Sequence, residues 1–186
     1  IGGLVQNAEN LPAADNFVAH MNALARSLFM KRTLFLNPSG MDNMPDGALP
    51  YSTAEDIARL VRHAYNNAGF AFYVAQKSRQ IHVMRNGTDN PIEINNTNEL
   101  LGIEDIDGVK TGKTMRAGEC LALSSGRSPE SRREGESVMI TPRRIHLVLL
   151  KSQDRFREGQ ALIKQGWSLY DQWAAAGRPV KKNTAL

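Results

Sequence analysis

Asp107-Gly108-Val109-Lys110-Thr111-Gly112-Lys113-Thr114 is followed closely by Gly118-Glu119-Cys120-Leu121-Ala122-Leu123-Ser124-Ser125, and the reading of these two runs decides the fold. The second run alternates as a strand does, sending successive side chains to opposite faces of a sheet. The first has the glycines, lysine and threonine of a phosphate-binding loop. That loop, however, needs four residues between its glycines so that backbone N–H groups can wrap a phosphate, and only Val109, Lys110 and Thr111 stand there. A phosphate loop also follows a buried apolar strand and opens a helix. Here Ile103-Glu104-Asp105-Ile106-Asp107 precedes and a strand follows. The two runs therefore read as adjacent strands, 108–113 and 119–125. Lys110 and Lys113 then either face solvent on an ordinary strand or line a site.

A chain of 186 residues suffices for one domain with a sizeable core, and 41% hydrophobic with 23% charged residues is an ordinary globular balance. No apolar run approaches the roughly 20 residues that cross a bilayer, and no basic stretch precedes an apolar signal core. The formal charge of +4 is scattered over Arg127, Arg132, Arg133, Arg143, Arg144, Lys181 and Lys182 without interleaved aromatics, which argues against nucleic acid as a partner. The one cysteine, Cys120, excludes an internal disulfide and reads as a small buried residue of its strand. His20, His63, His82 and His146 show no ligand spacing, so neither a metal nor another cofactor is expected.

Working outward, the apolar start at Ile1 begins abruptly, as a chain cut within a helix would. From Pro12, a good first-turn residue, Phe17, Val18, Met21, Leu24, Ala25 and Leu28 recur at helical spacing. Asn37-Pro38-Ser39-Gly40 is a turn signal. Ser52-Thr53-Ala54-Glu55 reads as a capping box, with Ser52 and Glu55 satisfying the free donors at the start of a helix. That helix carries Ile57, Leu60, Val61 and Ala64 on one face and should stop near Gly69. Strands are predicted over 79–84 and 91–95 around Asn86-Gly87, with a connection longer than the tightest hairpins. Leu100-Leu101 is a packing pair. A third strand is expected over 144–150, and the charged stretch 126–143 reads as a surface excursion. The last helix, about 154–173, puts Phe156, Ile163, Trp167 and Tyr170 on one stripe against the sheet. One domain over 1–177 and a frayed polar tail over 178–186 are expected.

Five pieces in order carry a family resemblance over nearly the whole chain. They are Leu36-Asn37-Pro38-Ser39-Gly40-Met41, then 51–58 from Tyr51 to Ala58, Asn96-Thr97-Asn98-Glu99-Leu100-Leu101, the 107–114 run, and Gly118-Glu119-Cys120-Leu121. Together they resemble the D-alanyl-D-alanine carboxypeptidases, the low-molecular-weight penicillin-binding proteins. Lys110-Thr111-Gly112 is one of three catalytic signatures of these enzymes and of the serine β-lactamases; the others are Ser-x-x-Lys and Ser-x-Asn. No serine in this chain is followed by lysine at the third position or asparagine at the second. The chain thus resembles the C-terminal part of the catalytic domain, with the missing N-terminal part of that domain as its partner.

The resemblance implies an α+β, β-lactamase/transpeptidase-like fold, an antiparallel sheet flanked by helices, with the Lys-Thr-Gly strand at the cleft edge. It implies a serine-type carboxypeptidase that removes the terminal D-Ala from peptidoglycan stem peptides through an acyl-enzyme. Penicillins and other β-lactams would inhibit it, and it would work in the periplasm or at the outer face of the inner membrane. Lys110 would supply positive charge for acylation, and the backbone N–H of Lys113 one oxyanion donor. Thr111 would bind the terminal carboxylate, Gly112 would let the substrate lie close, and Thr114 completes the substrate-binding run. A cross-link endopeptidase and a non-catalytic peptidoglycan-binding remnant are the alternatives.

Overall fold

Ser124 and Ser125, both fully buried, sit midway along a strand that has a neighbour on each side. The structure is a computed structural model and describes residues 10–42 and 47–179. Its larger sheet has three antiparallel strands, β3 (Ile106–Thr114), β4 (Gly118–Glu134) and β5 (Ser137–Ser152), in the order β3-β4-β5. A separate hairpin comprises β1 (Ser78–Arg85) and β2 (Thr88–Asn95). The helices are α1 (Ala13–Ser27), α2 (Ala54–Ala64), α3 (Ala68–Val74) and α4 (Arg155–Ala175).

The alternation of β4 divides the core in two, because neighbouring strand residues face opposite ways. Leu121 and Leu123 face α4 and pack with Leu100, Ile106, Ile163 and Trp167, with Phe156 and Tyr170 partly buried against them. Ala122 faces α2 and packs with Val61 and Val109. Burying one large side chain such as Leu123 or Ile163 stabilises by about 1.5–3 kcal/mol. The stripe of α4 and the Leu100-Leu101 pair are thus core, as their spacing predicts. Gly159 is what lets α4 approach so closely, since a Cβ there would lie 3.0 Å from Leu121 and Leu123.

Several boundaries differ from the sequence reading, each for a local reason. The cap of α2 is Thr53, whose hydroxyl accepts from the Asp56 N–H. Ser52 instead meets the Thr33 hydroxyl at 2.8 Å, and Glu55 pairs with Arg59. The helix ends at Ala64 rather than near Gly69, because Asn67 starts a new helix by accepting from the Phe70 N–H, and Gly69 lies inside it. In α1 only Ala25 of the expected stripe is fully buried, Leu24 is exposed, and Leu28 lies just past the helix end. Asn86 and Gly87 alone join β1 to β2, both at positive φ, which is the two-residue turn that matches strand twist.

The largest correction concerns residues 126–143. The expected surface excursion is exposed but regular: β4 and β5 continue past the start of β3 at Ile106 as a two-stranded arm, paired out to Glu134 and Ser137 with one bulge between Arg127 and Glu130. Cys120 is half-buried, its thiol donating to the Ala117 carbonyl. Arg178, expected to begin a loose tail, pairs with Glu130. The expected apolar start at 1–5 and the rest of the tail from 180 lie outside the described residues.

Candidate active site

β3 is bonded to β4 on one side only, so its other edge is free of strand partners among the described residues. Lys110 is exposed on this strand, and its ammonium donates to the Thr111 carbonyl. Thr111 is only 7% exposed, with its hydroxyl oxygen 2.5 Å from that of Thr97. Gly112 is exposed, and a Cβ built on it would meet nothing within 4 Å. Lys113 sends its ammonium to Glu119 on the neighbouring strand at 2.8 Å, and this bond holds the Glu119 carboxyl below its ordinary range. Thr114 accepts from the Ala117 N–H through its hydroxyl and so fastens the turn into β4. The site residues expected from the sequence are therefore contiguous in space but differ in what they present: an ammonium at 110, bare backbone at 112, and side chains already engaged at 111, 113 and 114. A cavity of about 280 Å³ opens beside Lys110 and Gly112, walled by Ile57, Cys120, Ala122 and Val148.

The start of β3 is held by groups that the sequence reading did not single out. Arg144 of β5 donates to Asp107 Oδ1 at 2.7 Å and to Ser124 Oγ at 2.6 Å, and its guanidinium lies 4.5 Å over the Tyr65 ring. Tyr65 from the end of α2 donates to Asp107 as well, at 3.2 Å. Burial pushes the Tyr65 phenol up to about 12. His146, its ring 5.1 Å from that of Tyr65, is held below the ordinary histidine range by burial and then by the Arg144 charge. Along the outer edge of β3 the Asn98 side chain donates to the Gly108 carbonyl. At the far end Arg155, in the first turn of α4, donates to the Gly112 carbonyl at 3.1 Å. None of Tyr65, Arg144 and Arg155 has a spacing signature, since each is brought to β3 from another element by the tertiary fold.

The family model for D-alanyl-D-alanine carboxypeptidase, peptidase S11, matches residues 5–137, well over half of the chain. The chain belongs to the D-alanyl-D-alanine carboxypeptidase family. It is 32% identical over 112 residues to the carboxypeptidase DacF of Bacillus subtilis, covering 60% of this chain and 27% of that protein. It is 28% identical over 159 residues to DacC of Escherichia coli, covering 84% of this chain and 34% of that protein. It thus spans about a quarter to a third of the length of the curated carboxypeptidases it matches. Among solved structures, the Streptomyces K15 DD-transpeptidase superposes with a TM-score of 0.67 at 23% identity, over 91% of this chain and 60% of that one. A D-alanyl-D-alanine carboxypeptidase from Mycobacterium tuberculosis gives 0.62 at 26% identity, over 83% and 54%. These structural matches account for the α+β architecture. No helix among the described residues is long and apolar enough to cross a membrane.

Proposed function

We propose that these residues form one wall of a serine-type D-Ala-D-Ala carboxypeptidase site whose nucleophilic serine lies outside residues 1–186. The observation that carries this reading is Lys110-Thr111-Gly112 on a strand with one free edge, the ammonium exposed and the glycine open to solvent. A peptidoglycan stem peptide laid along that edge meets no side chain at Gly112, where any Cβ would hold it off. The serine hydroxyl attacks the carbonyl of the penultimate D-Ala, the terminal D-Ala leaves with a proton, and water then hydrolyses the acyl-enzyme and restores the serine. Lys110 places a cation beside the reacting serine and favours the anionic end of the substrate. The Lys113 N–H is one of two oxyanion donors; such a donor stabilises the transition state by about 3–4 kcal/mol. Arg155, fixed at the Gly112 carbonyl, adds positive potential at the same end. Penicillins, which mimic the substrate, acylate the same serine, and the enzyme acts on the cell wall outside the cytoplasm.

The test uses the complete protein with an N-acylated peptide ending in D-Ala-D-Ala and, separately, a fluorescent penicillin. Release of one D-Ala per peptide, and a label mapping upstream of residue 1, are expected. A label on any serine within 1–186, or penicillin labelling without D-Ala release, overturns the reading.

A further inference from the structure

Phe29 stands where the backbone asks for a glycine. Two bonds close the end of α1: the Phe29 N–H donates to the Arg26 carbonyl at 3.0 Å, and the Met30 N–H to the Ala25 carbonyl at 2.9 Å. This closure needs a left-handed residue just past the cap, a conformation that glycine adopts freely. Here Phe29 adopts it, at φ 57°. A bulky residue is disfavoured there, because its Cβ crowds the backbone. Packing does not offset that strain. Met30 and Ala25 are each 3% exposed and close the helix end, while Phe29 is 70% exposed.

The ring stands among cations. A cavity of about 440 Å³ beside it is lined by Lys31, Arg32 and Arg59, together with Glu55 and Asp56. A second, of about 340 Å³, brings Arg26 next to Phe29 and Lys31. Four cations thus stand against two carboxylates, and both carboxylates are engaged. Glu55 pairs with Arg59 at 2.8 Å and with Arg32 at 3.5 Å. The buried Asp56 accepts from the Arg32 N–H and the Thr33 hydroxyl, which fastens this stretch of chain to α2. Arg26 and Lys31 have no ion pair among the described residues.

We propose that this patch docks the protein on an anionic phospholipid surface, with Phe29 entering the headgroup layer and Arg26, Lys31, Arg32 and Arg59 facing the lipid phosphates. A soluble anion would use the cations and leave the ring in water. A bilayer surface takes both, since an aromatic ring is favoured at headgroup depth and each cation is drawn by the negative surface potential. The left-handed backbone at residue 29 is what turns the ring outward while Met30 stays buried. The proposal does not depend on which reaction the Lys-Thr-Gly strand serves.

The experiment floats the complete protein with vesicles of phosphatidylcholine alone and with vesicles of equal parts phosphatidylcholine and phosphatidylglycerol. The difference between the two subtracts attachment by other parts of the protein that ignores lipid charge. Wild type binds the anionic vesicles more tightly, and added salt weakens the preference. Lys31→Gln weakens anionic binding about fivefold and leaves neutral binding unchanged. Phe29→Gly weakens anionic binding about 5- to 20-fold, as partial burial of one ring implies, yet raises the thermal midpoint by relieving the backbone. Phe29→Asn, the other residue common at this position, behaves in the same way. Equal binding of wild type to both vesicles overturns the proposal, and calorimetric binding of inorganic phosphate would then assign the cations to a soluble anion. Wild-type vesicle binding in Phe29→Gly overturns it as well. A lowered midpoint in both Phe29→Gly and Phe29→Asn gives the ring a structural role and overturns it too.

Discussion

Arg144 reaches Asp107 at 2.7 Å through the space that Gly126 leaves beside it. A Cβ at Gly126 would lie 2.7 Å from Arg144 Nη2 and 2.9 Å from its Cζ, so the guanidinium occupies the space that a side chain would fill. Arg144→Leu removes the bonds to Asp107 and Ser124 and the stacking on Tyr65. Because the ion pair is about a third exposed, its Coulombic share is discounted, and we expect a loss of about 1–3 kcal/mol, read as a lower urea midpoint. Gly126→Ala should cost less than Arg144→Leu, because the flexible guanidinium can shift to give way to the added Cβ. The double mutant should then be little worse than Arg144→Leu alone, since without the guanidinium the added Cβ meets nothing that it displaces.

Gly108 makes a second such test. A Cβ there would collide with the Tyr65 hydroxyl and come within 3.0 Å of Val74 Cγ2. Gly108→Ala should therefore destabilise by about 1–3 kcal/mol through overpacking. Adding Tyr65→Phe removes the colliding oxygen and leaves the ring carbon at 3.5 Å, an ordinary contact. The double mutant should be more stable than Gly108→Ala alone in thermal denaturation, although Tyr65→Phe by itself loses a bond to Asp107.

Stability should fall on the acid side through His146. Its pKa is lowered in the fold, first by burial and then by Arg144, so the unfolded chain takes up a proton before the folded one as pH drops through the ordinary value of 6.5. Unfolding is thereby favoured below that pH, while above it the imidazole is neutral in both states and contributes no slope. Urea midpoints at about pH 7.5 and about pH 5.5 should differ less in His146→Leu than in the wild type.

In the complete protein, Lys110→Ala should slow acylation by penicillin about 10²- to 10⁴-fold. Stability should hold within about 0.5 kcal/mol, because the side chain is exposed and fills no core volume. Gly112→Val should fold equally well, having open space around its Cβ and a strand conformation, yet lose binding of a D-Ala-D-Ala peptide. Stopped-flow labelling and calorimetry on the same two preparations would separate the effects.

The stripe of α4 was legible because its burial is one-sided and repeats, and β4 because its side chains alternate along the chain although both of its faces are buried. The cap of α2 was misplaced by one residue because Ser52-x-x-Glu55 and Thr53-x-x-Asp56 overlap and both fit the pattern. A tertiary contact decides between them: the Asp56 carboxylate is needed by the Arg32 N–H and the Thr33 hydroxyl. The arm over 126–143 was invisible for the opposite reason. Only its base is held, by Arg127 over Trp167 and by the Glu130–Arg178 pair, so its residues from 131 to 142 are all exposed and have no apolar alternation to read. Of the site, the Lys-Thr-Gly run was readable as a motif. Tyr65, Arg144 and Arg155 acquire meaning only from their distances to β3.

The paired arm also restricts how this part of the chain can vary in length. Adding one residue to each leg would turn the end of the hairpin upside down, exchanging the sides shown by Arg132 and Met139 with those shown by Arg133 and Val138. Adding two to each leg restores both sides. Insertions and deletions here are therefore quantised, with steps of four residues preserving the pattern and odd steps tolerated only where a bulge like the one between Arg127 and Glu130 absorbs the remainder.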